Sequence, residues 1–215
     1  MPDPASGNLH KHTNPNVAHQ WLLRRFHDRV TDLVRKGLSA SAPGAAEPPP
    51  GRVLDAGCGE GFVLRHLAGA MNEINLCGLD ARLEALAWAR SRGPGGTAWL
   101  MGDTGRLPFP ARSFAVVLCL EVLEHLERPW DALKELRRVC SGTLIISVPN
   151  QPFFSLANLL RGKNTSSFGE DPEHRSHWRA ATFIRALRRR APVDHVTYSF
   201  PWVIVAIRGD GASRG

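Results

Sequence analysis

The chain has 215 residues and a formal net charge of +7, a length that suits one well-buried domain with a modest appendage and leaves two full domains cramped. It contains no run of eighteen apolar residues and no charged-then-apolar leader, so we expect a cytoplasmic protein rather than a secreted or membrane-spanning one. Four of the 27 basic residues are lysines, and the arginines are spread along the chain. The positive charge therefore indicates nucleic-acid binding only weakly. Peripheral contact with an anionic membrane or with an acidic substrate would explain the charge equally well.

The first fifty residues divide into an arm, a helix and a linker. Residues 1–15 are rich in proline and polar residues and should form a loose arm. From Val17 to Leu38 the apolar residues recur on one helical face, which predicts a helix: Trp21, Leu22, Phe26, Val30, Leu33 and Val34. A proline-rich linker over residues 39–51 follows. We expect residues 1–50 to place this helix as a cap, with Trp21 and Phe26 packed across the mouth of a pocket.

Strands and helices alternate behind the linker. The predicted strands cover residues 53–55, 74–79, 97–101, 114–118 and 143–148, and predicted helices cover residues 62–70, 82–92 and 130–139. An irregular stretch over 149–178 precedes a helix at 182–190 and two apolar runs, 195–198 and 202–207. This alternation predicts an α/β fold with a buried, mostly parallel sheet over residues 51–208, followed by a tail at 209–215. We expect Phe200 and Trp202 to lie in the core.

A glycine-rich loop follows the first strand. Val53 and Leu54 lead into Asp55, and glycines follow at 57, 59 and 61 before an amphipathic helix. Glycines allow a sharp turn and let a ligand approach the backbone, while the helix start offers free N–H groups. The next strand ends at Asp80, whose carboxylate is placed to accept the hydroxyl groups of a ribose. A nucleoside site is therefore predicted here, although a glycine-rich turn in an unrelated α/β protein is the alternative.

Two further motifs extend this unit along the chain. Gly102-Asp103 closes the third strand, and the fourth strand leads into Glu121-Val122-Leu123-Glu124-His125. Over about residues 51–150 this order resembles the class I S-adenosylmethionine-dependent methyltransferases. A dehydrogenase is set aside, because the third glycine of the Gly-x-Gly-x-x-Gly fingerprint would fall on Phe62.

The resemblance implies a Rossmann-like, doubly wound sheet of seven strands that ends in an antiparallel hairpin, with S-adenosyl-L-methionine as the cofactor. It places the glycine loop against the methionine part of the cofactor, Asp80 on the ribose and Asp103 on the adenine. The expected cofactor-binding residues are Asp55, Gly57, Cys58, Gly59, Gly61, Asp80, Ala81, Asp103, Thr104 and Glu121.

The segment after the fourth strand is the candidate catalytic centre. Glu121, Glu124 and His125 would share one face if this segment were helical, and could then hold Mg²⁺ or Mn²⁺ to acidify an acceptor hydroxyl. The pattern resembles the metal-binding element of some RNA 2′-O-methyltransferases and quinone O-methyltransferases, in which a later histidine completes the site; His174 and His177 are the candidates here. The alternatives are packing beside the cofactor without a metal, or catalysis by His125 or His177 as a plain base, with Glu121 beside it.

The sequence thus favours a methyltransferase that acts on a small-molecule acceptor, through oxygen before nitrogen or carbon. A metal-dependent RNA 2′-O-methyltransferase is the second hypothesis, and a non-catalytic cofactor-binding partner is the third. The aromatic residues after the fifth strand, Phe153 and Phe154, either line an acceptor pocket or cover the sheet edge. The dispersed cysteines at 58, 77, 119 and 140 should be reduced core residues, and only Cys58 lies where oxidation would matter. The sequence gives no indication of the oligomeric state.

Overall fold

In a computed structural model of the protein, the described residues are Leu9 and residues 12–40, 51–150 and 178–210. The helices are α1 (Val17–Ala40), α2 (Phe62–Ala70), α3 (Leu83–Arg92), α4 (Pro129–Val139) and α5 (Ala180–Arg188), with a 3₁₀ turn at Leu123–His125. The strands are β1 (Arg52–Ala56), β2 (Asn75–Asp80), β3 (Ala98–Met101), β4 (Phe114–Leu120), β5 (Cys140–Pro149), β6 (Val193–Ser199) and β7 (Trp202–Arg208). Within these ranges, none of the helices combines the length and apolarity needed to cross a membrane.

The seven strands form one sheet in the order β3-β2-β1-β4-β5-β7-β6. Strands β1 to β5 are parallel to one another, whereas β7 is antiparallel to both β5 and β6. The predicted α/β fold, its mostly parallel sheet and its terminal hairpin are confirmed. Chain order reverses between β1 and β4, and α/β sheets of this kind bind ligands beyond the carboxyl ends of the strands at such a reversal.

Helices cover both faces of the sheet and create two buried layers. On one face, α4 and α5 bury Leu133, Leu136 and Phe183 against alternate residues of the central strands. On the other face, α1, α2 and α3 bury a second apolar layer that includes Leu64 and Leu86. The central strand β4 is buried along its whole length, from Phe114 to Leu120. Such double-sided burial explains why this strand is a continuous apolar run rather than an alternating one.

Helix α1 belongs to the second layer. Its apolar face buries Leu23, Phe26, Val30, Leu33 and Val34 against the sheet, so the predicted helix and its apolar face are confirmed. The packing expected of Trp21 is not, because Trp21 lies on the opposite side of the helix and is 53% exposed. Trp202 is buried as expected, but Phe200 is 51% exposed because it lies in the turn between β6 and β7.

Candidate functional site

The glycine loop, residues 57–61, follows β1 and lies beside the carboxyl end of β2. The backbone N–H groups of Gly57 and Cys58 both donate to the carbonyl oxygen of Leu79, at 2.7 and 3.0 Å. The φ angles of Gly57, Gly59 and Gly61 are +87°, +52° and +73°. Residues with a side chain rarely adopt these angles, so the turn requires glycine at these positions.

Close packing on two sides also excludes side chains from this loop. A Cβ atom at Gly57 would overlap Cγ2 of Val122, the residue that follows Glu121. A Cβ atom at Gly61 would lie 2.5 Å from the indole ring of Trp99 on β3. The loop is therefore held between the segment after β4 and the edge strand β3, and both contacts require glycine.

Asp80 fixes the second side of the loop. Its Oδ2 accepts a hydrogen bond from the N–H of Gly59 at 2.7 Å, and its Oδ1 accepts one from the N–H of Arg82 at 2.9 Å. The guanidinium of Arg82 lies 3.5 Å from the same carboxylate and 3.7 Å from Oε1 of buried Glu60. Asp80 thus joins β2 to the glycine loop, a structural role that the sequence did not indicate.

Asp55, the last polar residue of β1 before the loop, is 2% exposed. Burial, reinforced by the nearby negative charge of Asp80, raises the pKa of Asp55 to about 7. Among the residues that the structure describes, none donates a hydrogen bond to Oδ1 of Asp55. A buried carboxylate oxygen without a donor is costly, so this atom is suited to accept a hydrogen bond from a bound ligand.

The other expected cofactor-binding residues, Ala81, Asp103 and Thr104, lie after β2 and β3. Asp103 is exposed, and its Oδ1 accepts a hydrogen bond from the N–H of Gly105 at 2.7 Å, which shapes a short turn. Thr104 is 7% exposed, while Ala81 is exposed next to Asp80. Because β2 and β3 are neighbouring parallel strands, these residues share one edge of the sheet with the glycine loop. The adenine role of Asp103 stays a prediction.

Glu121 follows β4 with φ near +60°, so it is not part of a helix. Its Oε1 accepts a hydrogen bond from Oγ of Ser147 at 3.2 Å, and its Oε2 accepts one from Nε1 of Trp202 at 2.5 Å. The condition for a shared face, a helix that includes Glu121, is therefore not met: a 3₁₀ turn forms at Leu123–His125. A helix cannot begin at Glu121 because its left-handed backbone turns the chain away from β4.

Without a helix, Glu121, Glu124 and His125 do not share the helical face on which the expected metal site depends. Glu124 is 1% exposed, whereas His125 is half-buried, and the side chain of Glu121 is directed to Ser147 and Trp202. The described ranges contain no group of three histidine, cysteine, aspartate or glutamate side chains that could hold a metal ion. His174 and His177 lie outside the described residues, as do Phe153 and Phe154. A site completed by either histidine stays a prediction.

Sequence reasoning missed an aromatic stack beside the glycine loop. The ring of His12 stacks on Phe62, the first residue of α2, with centroids 4.0 Å apart. Phe62 also contacts Trp88 on α3, with centroids 5.0 Å apart, and the guanidinium of Arg65 lies 4.9 Å from the Trp88 centroid. The segment before α1 therefore covers the start of the helix that follows the loop. The histidines that precede the first predicted helix were the available signal.

Cys58 lies inside the glycine loop but is buried. Burial raises the pKa of its thiol far above the ordinary range, and the charges of Asp55 and Asp80 act in the same direction. The thiolate is the reactive form of cysteine, so this environment argues against the expected sensitivity to oxidation. The four cysteines are unpaired and buried, as predicted.

Comparison with known proteins identifies similar chains. Residues 54–146 match the family model described as a methyltransferase domain. A probable S-adenosylmethionine-dependent methyltransferase of Mycobacterium tuberculosis is 36% identical over 108 residues, which are 48% of this chain and 37% of that protein. A fatty-acid O-methyltransferase of Mycolicibacterium smegmatis is 36% identical over 90 residues, 41% of this chain and 32% of that protein. The aligned part of this chain thus spans less than two fifths of the length of these two relatives.

Solved structures support the same fold. A Pyrococcus horikoshii protein superposes with a TM-score of 0.67 at 18% identity, covering 94% of this chain and 96% of the other. At this identity the likeness concerns the fold alone. The near-complete coverage shows that the described elements, including α1 and the terminal hairpin, follow an arrangement that is known from other proteins.

Proposed function

Because residues 54–146 match the methyltransferase-domain model, we propose that this chain is a class I S-adenosylmethionine-dependent methyltransferase that transfers a methyl group to an oxygen atom of a small, acyl-type acceptor. The observation that carries the proposal is the joined pair of cofactor elements, the glycine loop and Asp80, linked by the 2.7 Å hydrogen bond from Gly59. The methyltransferase relatives support the reaction class. The fatty-acid O-methyltransferase relative supports oxygen as the accepting atom.

The residues of the site fit the proposed cofactor. The glycine loop has no side chain at three of its five positions, and the buried Oδ1 of Asp55 can accept a hydrogen bond from the cationic amino group of a methionine moiety. Asp80, at the end of β2, would accept the ribose hydroxyls. When bound, S-adenosylmethionine supplies a methyl group that is activated by a positively charged sulfur.

The remaining duty of the protein is to align the acceptor and exclude water. An acyl carboxylate is already ionised at neutral pH, because free carboxyl groups have pKa values of about 4. It needs no general base, which agrees with a site where Glu121 is held by Ser147 and Trp202 rather than free to move a proton. A hydroxyl acceptor would instead require a base, and His125 is then the described candidate.

Two measurements test the proposal. Calorimetry with S-adenosylmethionine should show binding to the purified protein, and transfer of a labelled methyl group to straight-chain fatty acids should give methyl esters. The Asp80→Asn variant should weaken cofactor binding and with it methyl transfer, while Glu84→Gln, an equal charge loss on the exposed start of α3, should leave both unchanged. Cofactor binding without transfer to any acid or hydroxyl acceptor would instead favour a non-catalytic partner protein. Absence of cofactor binding would refute the proposal outright.

A further inference from the structure

Exposed apolar side chains occur along the carboxyl edge of the sheet, the side on which the parallel strands end. In the described part of the chain, six large hydrophobic residues are more than half exposed: Val17, Trp21, Leu83, Met101, Tyr198 and Phe200. Met101 ends β3, and Leu83 begins the helix that follows β2. Tyr198 and Phe200 lie at the β6–β7 turn, level with the end of β5. These four residues therefore lie at the carboxyl edge, the side of the sheet where the parallel strands end and the glycine loop begins.

The start of α1 lies at this edge as well. Gly37, near the end of α1, packs against Thr143 in the first half of β5. Phe26 packs on Trp202, with ring centroids 5.0 Å apart, and Trp202 pairs with the last residue of β5. Helix α1 therefore runs antiparallel to β5. At 1.5 Å per residue, Trp21 and Val17 lie roughly 8 and 14 Å beyond Phe26 in the direction of the edge.

Positive charge accompanies the apolar residues of α1. Arg24 and Arg25 are exposed, and the guanidinium of Arg25 lies 4.7 Å from the ring centroid of Trp21. Residues 17–27 of α1 contain no carboxylate, and Asp28 is the first carboxylate along the helix. An exposed indole flanked by guanidinium groups has the amphipathic character of side chains that lie at the boundary between a bilayer and water. Anionic headgroups also attract arginine.

We propose that the carboxyl edge docks on an anionic lipid bilayer, with Val17, Trp21 and Phe200 entering the headgroup region and Arg24 and Arg25 contacting lipid phosphates. These five residues define the docking surface. Three apolar side chains make a small patch for a protein partner, since stable protein interfaces bury about 800 Å² on each side. A bilayer requires no such continuous face, because a few interfacial side chains and several positive charges suffice for reversible binding.

This inference rests on the proposed function and narrows its substrate class. An acyl acceptor with a long chain partitions into bilayers, where its polar end lies at the headgroup level. If the protein docks through its carboxyl edge, the polar end of the acyl acceptor would lie beside the glycine loop. The acceptor would then reach the site without crossing water. The substrate class is therefore a membrane-dissolved amphiphile rather than a freely soluble metabolite.

Sedimentation with lipid vesicles tests the proposal. The full chain is mixed with vesicles of phosphatidylcholine alone or of phosphatidylcholine with phosphatidylglycerol, and only the anionic vesicles should carry it down. Trp21→Ala should lower the partition coefficient between water and anionic vesicles about tenfold, because the exposed half of the Trp21 indole would no longer be buried in the bilayer interface. The double variant Arg24→Gln/Arg25→Gln should weaken it roughly 10- to 30-fold, and added salt should reduce this difference.

The control variant is Arg188→Gln/Arg189→Gln, which removes the same charge from the exposed end of α5, at the opposite edge of the sheet. It should sediment as the wild type does. Equal losses in both double variants, or an unaffected Trp21→Ala, would overturn docking through this surface. Failure to bind anionic vesicles would also overturn it, whether the protein then dimerises through Trp21 or is retained with RNA on a filter. Since vesicle binding needs no cofactor, a protein that binds vesicles but not S-adenosylmethionine would refute the proposed function alone.

Discussion

Replacing Gly57 by alanine tests how the glycine loop is built. The φ angle of +87° costs an L-residue about 1–2 kcal/mol, and the new Cβ would overlap Cγ2 of Val122, which adds overpacking of roughly 1–3 kcal/mol. Val122 is stiff at χ1 and cannot swing away freely. We therefore expect Gly57→Ala to lose about 2–5 kcal/mol, divided between the free energy of unfolding and the affinity for S-adenosylmethionine.

The double variant Gly57→Ala/Val122→Ala separates the two causes. Removing the valine methyl groups should recover the overpacking part and leave the backbone strain, as read from urea denaturation and calorimetry. The matched control is Gly69→Ala within α2, where the added Cβ meets no atom within 4 Å and should stabilise the helix by roughly 0.5–1 kcal/mol. If Gly57→Ala proves as stable and as tightly binding as the wild type, the reasoning about this loop is wrong.

Three further predictions concern charged groups. Asp80→Asn should weaken cofactor binding by about 1.5–3 kcal/mol, measured by calorimetry; unchanged affinity would remove its ribose role. The pKa of Asp55 rises from 3.8 in the unfolded chain to about 7 in the folded apoprotein, so folding becomes less favourable as pH rises between these values and the loss is complete above pH 7. Asp55→Asn lacks this loss, so its stability relative to wild type should increase from pH 4 to pH 8 by up to roughly 4 kcal/mol; a pH-independent difference in denaturation would contradict the shift. Trp202→Phe should cost roughly 1–3 kcal/mol, and less in a Glu121→Gln background, in a double-mutant cycle of unfolding free energies; additive losses would mean that the two side chains do not interact.

Much of the fold follows from local patterns. Apolar runs identified the first five strands, and the helices follow from periodicity, because both signals depend on neighbouring residues only. The last two apolar runs became a hairpin only through the family resemblance. The glycine loop was identifiable because its conformation excludes every other residue type. The exposed positions of Trp21 and Phe200 were not identifiable, because a hydrophobic residue is not obliged to be buried. Their exposure depends on which side of a helix or turn meets the sheet.

The surroundings of Glu121 depend on contacts that no local pattern contains. Trp202, its hydrogen-bond donor, lies 81 residues later, and Ser147, its second donor, lies 26 residues later. The same Trp202 ring packs on Phe26 of α1. One side chain therefore supports both the turn after β4 and the helix that leads to the proposed docking surface. A change in how α1 lies on the sheet would act on the indole that holds Glu121, so we expect contact at the carboxyl edge to alter the geometry of the site through Trp202.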